Sequence, residues 1–125
     1  MLAVFAVLAA APSFAQETLK PGDVISGRLR FFQHQHPNGT WINVYQLTAD
    51  KPRKFAKEDD FCDPAKPPKT FHLVVMDDKA KKARLDKLLG KTVTVVAEDF
   101  FCSETAWHVG DAVLSMWHFA EPAKR

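Results

Sequence analysis

Charge of one sign, long apolar runs and cysteine are all scarce in this chain, and each shortage removes a class of function. Its 17 lysines and arginines nearly balance 15 acids. It therefore lacks the cationic excess through which a bulk-charge nucleic-acid binder works. The apolar run from Leu2 to Ala11 falls short of the ~20 residues that a helix needs to span a bilayer. The only two cysteines, Cys62 and Cys102, are not in a C-x-x-C pair and have no thiol partner nearby in sequence, so a zinc pair is disfavoured. A phosphate-cradling glycine loop, an H-E-x-x-H helix and a Ser-His-Asp set on a nucleophile turn are also missing. Asp59, Asp60 and Asp63 cluster, and paired carboxylates can hydrolyse glycosides, but in a proline-rich acidic loop they read as solvated charge. The chain does not read as an enzyme, no catalytic residue is assigned and no cofactor is implied.

What is present first indicates compartment. Leu2 to Ala11 precedes Pro12 and then Ser13-Phe14-Ala15, an apolar h-region followed by small residues at the −3 and −1 positions of a cleavage site. No Lys or Arg comes before the run, so the n-region is either minimal or lost to a start site placed too late. A globular helix would carry a polar face, and this segment has none. The reading is a signal peptide over 1–15, with 16–125 as a single exported domain in the bacterial periplasm or outside the cell, and no membrane span after signal cleavage. In an oxidising compartment an even cysteine pair in a small domain reads as a disulfide. Cys62 and Cys102 sit in similar surroundings, EDDFCDP and EDFFCSE. A bond closing a loop of ~40 residues contributes roughly 3–4 kcal/mol in the chain-entropy model.

Periodicity then predicts the elements. Asp23 to Gln35 alternates with period two, and Gly27 within it suggests a bulge or bend. Asn38-Gly39 is a hairpin signal because both residues tolerate positive φ; with Thr40 it also forms a glycosylation sequon, which a turn explains unaided. Thr40 to Leu47 is the second strand. A polar loop with four prolines spans 48–69, followed by a third strand from Thr70 to Met76. The helix that follows is capped by Asp77 or Asp78, carries Ala83, Leu85, Leu88 and Leu89 on its apolar face and stops at Gly90. Its lysines read as a solvated face. Lys91 to Phe101 and Ala112 to Phe119 complete the set, with Val93, Val95 and Ala97 on one face of the former.

Three strands, a helix and two strands is the order of a five-stranded Greek-key barrel, the OB-fold, with the helix closing its bottom. The expected class is all-β with one short helix; a mixed α+β sandwich is the alternative. The segments LKPGDVISGRLRF, WINVYQLTADKP, LDKLLGKTVTVVAEDF and AWHVGDAVLSMW together resemble a family of small secreted bacterial OB-fold domains of unknown function. The resemblance rests on Gly27-Arg28-Leu29, on Tyr45-Gln46-Leu47 with Asp50 and Pro52, on Leu88 to Val93, and on Thr105 with His108. It implies that nearly the whole mature chain is one such domain.

The stretch FFQHQHPNGTWINVY, from Phe31 to Tyr45, holds the sharpest functional signal. Alternation puts His34 and His36 on the side of Arg28, Arg30 and Phe32, opposite Ile25, Leu29 and Phe31. Imidazoles two apart on a strand can share a metal, with His108 or His118 completing a site, although no carboxylate or cysteine lies near in sequence. Phe32, Trp41, Tyr45, Trp107 and Trp117 fall on or beside the first, second and last strands. Some serve a ligand face and others, including at least two tryptophans, the core. The candidate binding residues are Arg30, Phe32, His34, His36, Trp41, Tyr45 and His108. The expected function is a binding or accessory module for an envelope protein or a small ligand, not nucleic acid. The alternatives are an inhibitor or immunity protein against a cell-envelope hydrolase or toxin, and a histidine-based metal binder.

Overall fold

A computed structural model describes residues 18–55 and 61–121. The proposed signal segment, Asp59 and Asp60 lie outside the described residues. The elements in chain order are β1 (Thr18–Leu19), β2 (Val24–Gln35), β3 (Trp41–Ala49), β4 (Lys54–Phe55), β5 (Thr70–Leu73), α1 (Lys79–Lys87), β6 (Thr92–Cys102) and β7 (Ala112–Phe119). The chain is thus mostly β with one short helix. Five strands close a barrel in the spatial order β2-β3-β5-β7-β6, in which β7 lies between β5 and β6. All ladders of the barrel are antiparallel except β5 with β7.

Alternation selects the core. Ile25, Leu29, Leu47, Phe71, Leu73, Val95, Ala97 and Leu114 are sealed inside the barrel, joined by Tyr45 and Trp117. Of the two candidates Asp77 and Asp78, it is Asp78 that caps α1, accepting the Lys81 N–H at 2.9 Å. Leu85 from α1 enters the core and Leu88 packs against it. Ala83 and Leu89 instead face solvent. The helix has only two turns, too short to turn a four-residue stripe toward the barrel. Nor are all its lysines solvated: Lys81 Nζ donates to the Trp117 carbonyl at 2.7 Å and sits 3.9 Å from the centre of the Trp117 ring.

Two strands were not legible in sequence. The β1 and β4 pair in parallel, Thr18 opposite Lys54 and Leu19 opposite Phe55, so the loop expected over 48–69 contains a strand and begins later. Two-residue bridges between distant segments have no local periodicity to betray them. The third barrel strand ends at Leu73, not Met76: the Val74 N–H still donates to Leu114 at 3.1 Å, as the parallel ladder requires, but its carbonyl accepts the Trp117 indole N–H at 2.9 Å in place of a further β7 amide.

Gly27 marks neither a bulge nor a register shift, since it pairs in sequence with Ala49 and Val93. Its role is close approach: a Cβ there would collide with the Thr48 carbonyl and come within 2.9 Å of the Ala49 Cα. The hairpin also departs from the two-residue type. His36 donates to Thr40 and Gly39 to His36, and only Gly39 has positive φ, at 93°. This is a three-residue loop, Pro37-Asn38-Gly39, with a turn and a left-handed third position. Cys62 and Cys102 form a disulfide with Cα atoms 5.3 Å apart, a bond compatible with an oxidising compartment. Among the described residues no helix is long and apolar enough to cross a membrane.

Candidate binding groove

The hairpin end of the barrel is where the exposed rings gather. Alternation places Phe31 on the inward face with Ile25 and Leu29, yet it is 41% exposed. The β2–β3 ladder extends past the barrel body, and there the inward face opens to solvent. Phe31 rests on Tyr45, ring centres 5.0 Å apart. Tyr45 is buried, not part of an outer ligand face, and its hydroxyl donates to Asp86 of α1 at 2.6 Å. Burial foremost, then this carboxylate, push the Tyr45 phenol up to about 12.

A second layer covers the outer face of β3 and β5. Gln46, buried on that face, accepts from Arg30 Nε and Nη2 at 3.0 and 2.6 Å and donates to the Val109 carbonyl at 3.0 Å. A buried amide with both ends satisfied is stable there. His72 accepts the Val109 N–H at Nδ1, 3.0 Å. Burial first, and then the nearby His108, hold the His72 imidazole below its ordinary value. His108 Nδ1 in turn accepts from the Glu104 and Thr105 amides. The loop after β6 is therefore held down by imidazole acceptors and one glutamine.

Between these layers lies a groove of about 410 Å³ lined by residues including Phe31, Asn43, Tyr45, His72, Lys82 and Trp107. Val74, Val75 and His108 contribute to its wall. Of the sequence candidates, Tyr45 and His108 meet there. His36 reaches its rim, stacked on Trp107 with centroids 3.8 Å apart and planes at 21°. Arg30 lies over the Phe32 ring at 4.6 Å on the outer face of β2. His34 stands exposed opposite Ile42, and Trp41 is 61% exposed. Only Trp117 of the three tryptophans is core, because the other two sit where the barrel has already opened. His36 Nδ1 is engaged by the Asn38 N–H at 3.1 Å. Among the described residues no group of three or more His, Cys, Asp or Glu is placed to hold a metal ion.

Phe31, Asn43, His72 and Lys82 were missed as site residues. Phe31 follows the core alternation, His72 is one polar residue in an apolar strand, and Lys82 is one lysine among many on a helix. Nothing in their local sequence distinguishes them. A larger cleft of about 730 Å³ at the opposite end of β2 and β3 is lined by Lys20, Asp23, Asp50 and Arg53 among others. Its charges are mixed and its walls are mainly strand ends and turns, so it offers less defined chemistry than the groove. Compared with protein-family models, curated proteins and solved structures, this chain matches none.

Proposed function

We propose that the protein is an exported OB-fold module that captures a partner in the groove beside its hairpin, and that it binds rather than catalyses. The observation that carries this reading is the groove itself, in which Phe31 and Trp107, both incompletely buried, face a common space bounded by β3, β5 and the loop after β6. Large apolar side chains exposed together mark interaction sites more often than chance scatter. The OB-fold reading draws support from the closed five-strand order and from the helix between the third and fourth barrel strands. In such barrels the second and third strands with their flanking loops form the ligand face. The resemblance to small secreted bacterial domains fits the same picture, as do the signal-like segment over 1–15 and the disulfide.

The test immobilises the oxidised chain and exposes it to envelope extract. A specific protein should be retained by the wild type and lost by Phe31→Ser, with both showing the same thermal melt. Equal retention by the two, or no retention by either, would remove the groove from the function.

A further inference from the structure

The groove is bordered by an unfinished strand pairing. In the β2–β3 ladder His36 donates to Thr40, so every second pair outward from it is hydrogen-bonded: His34 with Ile42, Phe32 with Val44, Arg30 with Gln46. The intervening β3 residues Trp41, Asn43, Tyr45 and Leu47 therefore aim their N–H and C=O groups at the opposite edge. The bond from Ala49 N–H to Lys69 confirms that phase. Tyr45 and Leu47 meet Leu73 and Phe71 of β5 there. The backbone groups of Asn43 and Trp41 meet no strand among the described residues, because β5 ends at Leu73 and no backbone bond joins Asn43 to Val75, the residue next in register. Two N–H and two C=O groups are thus left along the edge of the groove.

Exposed edges of this kind are normally blunted by lysine, proline or a bulge, and Trp41-Ile42-Asn43-Val44 carries none of these. We propose that this edge receives an extended segment of a partner protein, which adds as a strand in the place β5 vacates after Leu73. This rests on the binding reading above and names its ligand class. Strand addition takes affinity from the main chain and specificity from alternate side chains. One set would face Phe31 and Tyr45, where Lys82 from α1 also lines the groove. The other would face His72, Trp107 and His108. Among the described residues no Asp or Glu lines the groove, and the carboxylate next to it, Asp86, is engaged by the Tyr45 hydroxyl; the segment therefore carries a carboxylate toward Lys82 and an apolar residue toward Trp107.

The test selects a displayed library of random decapeptides against the oxidised chain and synthesises the enriched sequences. They should contain an acidic residue among alternating apolar ones, and binding should shift the Trp41 and Asn43 amide resonances. Asn43→Pro removes a donor that no strand of the barrel uses, a position where proline is tolerated on an edge, and should weaken binding about tenfold or more. Lys82→Glu should weaken it likewise, and an acid-to-lysine peptide should restore it. Should Asn43→Pro perturb folding, N-methylation of alternate peptide amides makes the same test on the unaltered protein. Enrichment of no peptide, or binding indifferent to both edge changes, overturns strand addition. If Phe31→Ser still abolishes partner capture in that case, the binding reading survives and only the ligand class falls. A wild-type dimer that Asn43→Pro converts to monomer would show that the edge serves a second copy of this chain instead.

Discussion

His72 shows how one side chain sets the behaviour of a loop. Its neutral Nδ1 accepts the Val109 N–H, and a protonated nitrogen cannot accept. Gln46 and Val113, its cross-strand neighbours, carry no charge. The ionisable groups close by are His108 on the loop and Lys82 from α1, which line the same groove. The folded-state pKa is depressed from 6.5, so below that value the unfolded chain binds the proton more readily. The His72 contribution is complete above about 6.5 and is lost as pH falls through it toward the lower folded value. Denaturation at pH 7.5 and 5.5 should show a larger loss of stability for the wild type than for His72→Asn, which keeps an acceptor and does not titrate. Equal losses would mean that His72 does not couple the loop to pH.

At the scale of elements, the decisive contact is the crossing of β2 and β3 at Gly27. Any Cβ at Gly27 meets backbone of Thr48 and Ala49, which cannot swing aside as a side-chain tip would. Gly27→Ala should therefore lower unfolding free energy by about 1–3 kcal/mol, the usual range for overpacking, when measured by urea denaturation. A change below ~0.5 kcal/mol, typical of a surface site, would show that the ladder opens to admit a methyl group. The element boundaries were readable wherever periodicity ran long: β2, β3, β6 and β7 fall within two residues of expectation. Boundaries set by distant partners were not. The early end of β5 depends on Leu114 and Trp117, some forty residues away in the chain.

For the whole molecule, the disulfide ties the proline-rich connection to the end of β6, across a separation of 40 residues. Reducing it, or replacing both cysteines by serine, should lower stability by roughly 3–4 kcal/mol, read as a shift of the denaturant midpoint with and without reductant. An unchanged midpoint would mean that the bond constrains only the loop. Binding by an unpaired edge would have a related consequence at this scale. The partner completes a sheet that the chain leaves open, so the complex should melt higher than the free protein.

The sequence by itself determined that the chain is mainly β with a single helix, that an aspartate at 77 or 78 begins that helix, that Val93, Val95 and Ala97 turn inward, and that Cys62 and Cys102 are partners. Each follows from local alternation, capping chemistry or an even count, which need no knowledge of what lies across the fold. Only the tertiary structure decided that Phe31 leaves the core while Tyr45 enters it, that His36 meets Trp107, and that Asn43 lies beyond the last pairing of β3 with β5. Burial and edge pairing are properties of where the barrel ends and which strand stops first, and both are fixed by contacts between segments far apart in the chain.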